Sequence, residues 1–312
     1  MNPSYDTVNF KRHGCDIVGY SPFVFANYLD DVTEEYNEKK GYRVRGKVGD
    51  YRVLLSQSDI SLYGSLSKSF LPSNIYTLTR KDSGLAIEKL SDQLHIDLKQ
   101  ANITRLDIAA VFPMSHPPCD YLPYLGNKPY FKRIAATISS LYYHTEKMKQ
   151  NFYDKGKQAK AKGIIIPPEL IGCNLLRYEL RLMNKLKQQL NLNSLNGAML
   201  VDEKIFRSLV LRWVGEYEAI SKINSYTMDS AKIKTPSDAE KAFFTVLLQQ
   251  QGQQAIDNFI ADMKFQKRFK DPKYYTRLKD QLNEKMRADG VKENELIREL
   301  SQSIFEAGKY AY

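Results

Sequence analysis

Tyr153 stands two residues before Lys155 in K-M-K-Q-N-F-Y-D-K-G-K-Q-A-K-A-K-G, Lys147 to Gly163, a segment with six lysines and one acid. Such a segment suits a polyanion, and a tyrosine within it is a nucleophile able to attack a phosphodiester. A free phenol has a pKa near ~10, so it needs a nearby cation or base to work at neutral pH. If Gln150 to Lys155 is a strand, alternation puts Lys155 on the Tyr153 face, where it suits that role. The other residues with chemical promise are acids set in or beside strands: Asp107, Asp154 and Glu179. In N-L-L-R-Y-E-L-R-L, Asn174 to Leu182, alternation gathers Arg177, Glu179 and Arg181 on one face and Leu176, Tyr178 and Leu180 on the other. In T-R-L-D-I-A-A-V-F, Thr104 to Phe112, Arg105, Asp107 and Ala109 share a face. If these runs are neighbouring strands, Asp107 and Glu179 meet. Two carboxylates, waters and a phosphate oxygen make a Mg²⁺ or Mn²⁺ site. The same spacing also describes an ion-pair ladder, Asp107 with Arg105 and Glu179 with Arg177 or Arg181. Tyr178 reads as core.

The chain has 312 residues, enough for one large domain or two smaller ones. Its net charge of +10 and pI near 9.2 fit a nucleic-acid binder and also some membrane-surface proteins. No apolar run approaches a membrane span, and Met1 to Asp16 lacks the apolar core of a signal peptide, so a cytoplasmic location is expected. Cys15, Cys119 and Cys173 form no C-x-x-C, which argues against disulfides and a structural zinc. Cys173, before an apolar strand, reads as a buried core cysteine. His13, His95, His116 and His144 make no metal pair. The chain contains neither G-x-x-x-x-G-K-[ST] nor G-x-S-x-G, and the arginine-histidine-arginine set of a tyrosine recombinase cannot be assembled.

The elements that must position these residues are α+β in pattern. Tyr5 to Lys11 alternates as a strand, and residues 17–40 read as a partly helical insertion. Tyr42 to Ser56 reads as a hairpin around Gly49-Asp50. Ser56 to Ser73 reads as a loop or irregular strand and Ile75 to Thr79 as a short strand. Ser83 to Leu98 is an amphipathic helix capped by Ser83. Ser115 to Pro129 is a proline-rich loop, and Tyr130 to Ser140 a helix or a partner of the next strands. Ser140 to His144 and Gln150 to Lys155 are strands around a basic turn. Beyond Leu190, Val201 to Asn224, Pro236 to Gln250, Gln254 to Phe269, Pro272 to Arg287 and Glu293 to Ala307 have helical spacing, with starts at Thr235-Pro236 and Asp271-Pro272. The expected fold is a central, mainly antiparallel sheet with flanking helices over residues 1–197, and a helical region over 198–312 for DNA binding, dimerisation or buttressing. Within it, K-F-Q-K-R-F-K, Lys264 to Lys270, is basic and aromatic and fits either nucleic acid or a docking partner.

The three motifs around Asp107, Tyr153 and Glu179, in this order, resemble the replication initiators typified by the gene II and gene X proteins of filamentous phages. More distantly they are similar to trans-acting rolling-circle plasmid initiators. The resemblance covers roughly Tyr5 to Gly197, including S-N-I-Y-T-L-T before the amphipathic helix. It implies an origin-specific DNA nickase-ligase in a bacterial host. A tyrosine joins the 5′ phosphate, leaves a 3′-OH primer and later reseals the strand. Host helicase and polymerase, and a homodimer, are the implied partners besides DNA, with no membrane. The resemblance makes Tyr153 the nucleophile with Lys155 beside it, and Asp107 and Glu179 the metal ligands. Tyr143, in S-L-Y-Y-H-T, is the competing nucleophile. Lys147, Lys149, Lys157, Lys160, Lys162, Arg177 and Arg181 are the expected DNA contacts. Plasmid initiators often carry a second acid four residues after the first; here Val111 stands there, and H-x-H is absent. A non-catalytic DNA-binding regulator on the same fold is the alternative.

Overall fold

The computed structural model describes residues 2–39, 41–223, 226–286 and 291–309. The chain forms two compact units, one of Met1–Leu122, Asn127–Ala219 and Ser303–Tyr312, the other of Pro123–Gly126 and Ile220–Gln302.

The first unit is built on a sheet of β1 (Ser4–His13), β2 (Asp30–Asn37), β3 (Gly41–Val48), β4 (Tyr51–Ser56), β5 (Asp59–Tyr63), β6 (Asn102–Met114), β7 (Lys132–Thr137), β8 (Ser140–His144), β9 (Met148–Asp154) and β10 (Asn174–Met183). Their order is β2-β3-β4-β5-β1-β6-β10-β9-β8-β7, and the described pairs are all antiparallel. The helices are α1 (Pro22–Ala26), α2 (Leu66–Phe70), α3 (Arg80–Leu94), α4 (Pro118–Tyr121), α5 (Lys155–Lys162), α6 (Leu186–Gln189) and α7 (Glu203–Glu218). The expected α+β fold, with a large antiparallel sheet and a helical C-terminal region, is present.

The central strands β6 and β10 are long, and their two faces do different work. Leu176, Tyr178, Leu180 and Leu182 point to the face covered by α7, whose Leu209, Val210, Trp213 and Tyr217 are buried. Tyr178 is core, as its position among leucines implies. Its ring stacks on Phe152 at 4.4 Å and on Trp213 at 4.7 Å, and its hydroxyl donates to the Trp213 carbonyl at 2.9 Å. The opposite face carries the charged row of β10. At one end of that face, Val111 and Leu175 pack with Ile75, Ala159 and Leu170 in a small apolar cluster.

Several local expectations change. Residues 17–40 contain α1 and also β2, an edge strand with little buried surface. Ser56 to Ser73 contains β5 and α2, and Ile75 to Thr79 is not a strand. The helix expected from Ser83 starts at Arg80: Thr79 caps it, in a box with Asp82, and Ser83 is buried inside it. Ser115 to Pro129 includes α4, and of the two readings of Tyr130 to Ser140 the strand one holds: it supplies β7, which pairs with β8. Cys173 is exposed rather than buried. Lys40, Asn224 and Arg287, the ends of three expected stretches, lie outside the described residues.

The second unit holds α8 (Pro236–Gln251), α9 (Gln253–Phe265), α10 (Lys273–Met286) and a strand pair, β11 (Tyr226–Met228) with β12 (Val291–Glu293). α11 (Glu295–Gly308) follows. Thr235 caps α8 with Asp238, with Pro236 at the first helical position, as expected. Ile256, Ile260 and Tyr275 form the core between α9 and α10.

Candidate functional site

Strand register brings the charged residues together. Arg177 lies opposite Tyr153, Glu179 opposite Asn151 and Ala109, and Arg181 opposite Lys149 and Asp107. Directly opposed residues point to the same side of a sheet, so Asp107, Asn151, Tyr153, Arg177, Glu179 and Arg181 share one face.

Within that face the acids and arginines form a ladder. Asp107 is fully buried and takes Arg105 Nε at 2.8 Å, Arg105 Nη2 at 2.5 Å and Arg181 Nε at 3.1 Å. Arg181 Nη2 reaches on to Glu179 Oε1 at 2.9 Å. Asp107 and Glu179 are therefore joined through a guanidinium. Burial pushes the Asp107 carboxyl up to about 7; Arg105 and Arg181 pull it down, while Glu179 adds to the rise.

A second network lies beside it. Arg177, expected to contact DNA, is internal at 2% exposure. Its Nη2 binds Asp6 Oδ2 at 2.5 Å and its Nη1 donates to the Asn74 carbonyl at 2.6 Å. Asp6 also accepts from Ser65 Oγ at 2.6 Å and from Asn74 Nδ2. Burial works against the Asp6 charge, but Arg177, Ser65 and Asn74 outweigh it and lower the carboxyl below its usual range. Lys155 departs from the expected geometry as well. β9 ends at Asp154, whose carboxylate caps α5 by accepting from Lys157 N at 2.8 Å, so Lys155 opens a helix instead of continuing the strand. Its buried ammonium donates to Asn74 Oδ1 and to Gln158 Oε1, both at 2.8 Å. Burial and Arg177 bring its pKa down to about 7.

Tyr153 meets both networks. Burial raises its phenol well above the usual tyrosine range, and Glu179 and Asp6 add to this. Arg177 and a hydrogen bond from Gln158 pull the other way. Gln158 thus links the tyrosine to Lys155: its carbonyl oxygen accepts from the ammonium, and its amide serves the phenol.

The face opens into a cleft of about 450 Å³ lined by Asn151, Tyr153, Glu179 and Arg181, with Lys149, Lys157 and Tyr142 among its other walls. Asp107 does not line it. Beside the cleft, Asn151 Oδ1 and Arg177 Nε are buried without a hydrogen-bond partner. Glu179 Oε2 lies 3.7 Å from Arg177 Nε. The amide nitrogen of Asn151 donates to Glu179 Oε1 at 3.1 Å, so its oxygen is the atom left over.

Tyr143 lies apart. It is opposite Gln150, on the α7 side of the sheet, fully buried against Phe152, with its phenol pushed up to about 12 by burial. Its neighbour Tyr142 faces the cleft, under the Lys149 ammonium at 4.0 Å. Lys147, Lys157, Lys160 and Lys162 are exposed and Lys149 is half-buried. Of these, Lys149 and Lys157 line the cleft.

Sequence reasoning missed Asp6, Asn74, Tyr142, Asn151 and Gln158. Asn151 could have been found, since it precedes Tyr153 by two on the same strand. Asp6 could have been noticed as an acid in an alternating run. Asn74, in a segment without regular structure, carries no comparable signal. Among the described residues, no group of three or more His, Cys, Asp or Glu side chains is placed to hold a metal ion. No helix there is long and apolar enough to cross a membrane.

Searching curated proteins gave no match. The sequence model of the Phage_CRI family, the N-terminal part of a phage replication-associated protein, matches residues 32–214, from β2 to α7. That span is more than half of the chain and contains each residue of the site except Asp6. The match supports the filamentous-phage gene II type indicated by the three motifs, and the chain belongs to this family of replication-associated proteins.

Proposed function

We propose that the chain nicks and rejoins DNA to initiate rolling-circle replication, with Tyr153 as the nucleophile. One convergence carries the reading: Tyr153, Asn151, Glu179 and Arg181 line a single cleft walled by lysines. In the forward step the Tyr153 oxygen bonds to phosphorus and loses its proton. The bond to the 3′ oxygen breaks, and that oxygen takes a proton and leaves as a 3′-OH. The 5′ phosphate stays on the tyrosine, so its ester bond is conserved for rejoining without ATP. Lys149 and Lys157 line the cleft and provide positive charge for the phosphodiester. Gln158, held by Lys155, keeps the phenol oxygen oriented.

The donor set fits a hard divalent cation. Glu179 and the unpartnered Asn151 Oδ1 offer oxygens at the cleft, and Mg²⁺ or Mn²⁺ would be held there. Such an ion supplies charge neutralisation at the phosphate and at the developing phenolate. Asp107, with its oxygens taken by guanidiniums, serves this arrangement by holding Arg181.

The test uses supercoiled DNA of the chain's own replicon and labelled single-stranded origin DNA, with Mg²⁺ or Mn²⁺. Wild type is expected to give open circles and labelled protein after denaturation. Tyr153→Phe should bind but form no adduct, while Tyr142→Phe and Tyr143→Phe still form one. Glu179→Gln should reduce cleavage by about 10²-fold or more. An adduct persisting in Tyr153→Phe would assign the nucleophile elsewhere. Binding by wild type without any cleavage would favour a non-catalytic regulator.

A further inference from the structure

We infer that the turn between α9 and α10, in the second unit, is a separate contact for single-stranded nucleic acid. The inference rests on the reading that this chain works on DNA, but it concerns residues with no part in the tyrosine chemistry. Lys264, Lys267, Arg268, Lys270, Lys273 and Arg277 fall within one turn and its flanking helix ends, and all are exposed. Among the described residues none of the six pairs with a carboxylate, whereas Lys279 on the same helix pairs with Asp257 at 2.8 Å. The acids within the stretch are otherwise engaged. Asp262 accepts from Gln266, and Asp271 accepts from the Lys273 backbone. The surface therefore carries a net excess of positive charge, six cations against the carboxylates of Asp262 and Asp271, complementary to a phosphate backbone.

The aromatics of K-F-Q-K-R-F-K divide sharply. Phe269 is half-buried against the core, 5.0 Å from the Tyr275 ring, and its backbone N–H donates to the Tyr275 hydroxyl at 2.9 Å. That contact pins the turn to the core of Ile256, Ile260 and Tyr275. Phe265 is 87% exposed and Tyr274 52% exposed. A rigid turn thus carries two outward rings among cations. Outward rings with lysines on either side are the arrangement on which unpaired bases stack. In a duplex those base faces are already stacked, which is why a single strand is the fitting occupant. Lys267 adds a further point. It has φ +49°, the left-handed position just past the helix end, which glycine usually occupies because a side chain there costs about 1 kcal/mol. Here the sequence places a cation at that position.

Binding can be measured by fluorescence anisotropy with a labelled mixed-sequence single strand of about 20 nucleotides. The full chain carries Tyr153→Phe, so that binding is read without cleavage. Replacing Lys264, Lys267, Lys270 and Lys273 together by Gln should weaken binding and flatten its dependence on salt, by ~0.7 in slope for each phosphate no longer neutralised. Phe265→Ala should weaken binding about fivefold or more with the salt slope unchanged, and Phe265→Trp should restore it. Thermal denaturation verifies that each variant folds. Wild-type affinity and slope in both variants would overturn the inference. So would weakened binding in the lysine variant with none in Phe265→Ala, because the base-stacking part would be wrong. Loss of self-association in sedimentation, with DNA affinity kept, would give the surface to a second copy of the chain and overturn it too. The nicking reading fails separately, through absence of a Tyr153 adduct in the parent chain.

Discussion

At the scale of single residues, the site joins groups whose ordinary chemistry is suppressed by burial. Burial holds the Tyr153 phenol above its usual range, so the proposed reaction needs a cation brought beside its oxygen. Lys155 is the converse, an ammonium whose charge the fold disfavours. Its folded value, about 7, lies below its ordinary 10.5. Between those values the unfolded chain holds a proton that the folded chain has released, so Lys155 makes stability rise with pH across that window and leaves it flat below. Asp107, raised to about 7, acts with opposite sign in a separate window: it lowers stability as pH rises from the usual carboxylate range to about 7. Urea denaturation of wild type and Lys155→Met from pH about 7 to about 10 should therefore show wild type gaining stability relative to the variant. A constant difference would mean that Lys155 stays charged in the fold. The residues found from sequence alone are those whose type breaks a pattern: Asp107 and Glu179 in apolar strands, Tyr153 among lysines. Asn74 and Gln158 break none. They become visible only once Asn74, from an irregular segment, is brought beside Lys155 by Arg177 and Asp6.

At the scale of elements, strands with one buried face were legible and strands without one were not. β6 and β10 alternate because α7 covers one side, so their charged rows could be read from spacing. Of the two edge strands, β2 escaped, and β7 reads from sequence only as a helix or a partner of the next strands. β2 is D-D-V-T-E-E-Y-N and β7 is K-R-I-A-A-T, and both lie largely exposed. Polar, charged edges discourage pairing with other chains, and the same property erases the alternation that would reveal a strand. The switch from β9 to α5 was also hidden, because it depends on a cap rather than on periodicity. Asp154 makes that switch, and it determines where both Lys155 and Gln158 point. Asp154→Ala should cost about 1 kcal/mol through loss of the cap, while Asp154→Ser keeps most of it. Adduct formation should fall in Asp154→Ala and recover in Asp154→Ser, because α5 presents Gln158 to Tyr153. Equal thermal midpoints for wild type and Asp154→Ala would show that the helix start is held by packing of Ala159 alone.

At the scale of the whole molecule, the excess of positive charge must be apportioned among surfaces. Arg177, once expected at the DNA, neutralises Asp6 inside the sheet, and Arg105 and Arg181 spend their charge on Asp107 and Glu179. Beside the cleft, what remains for a polyanion is the lysine row of β9 and α5. Lys147 and Lys149 stand at the start of the strand, and Lys157, Lys160 and Lys162 on the helix that follows Tyr153. This row flanks the proposed nucleophile in sequence, and two of its members line the cleft. DNA entering the cleft should therefore lie along it and release counterions as it binds. Replacing Lys147, Lys160 and Lys162 by Gln should weaken binding to every sequence alike and lower the slope of log affinity against log salt by ~0.7–0.9 for each phosphate no longer neutralised. Cleavage at saturating DNA should change little, because the groups at the phosphorus remain. An unchanged slope would make the row a solvated face and send the path of the strand to the other side of the cleft, where Ser139 and Tyr142 stand.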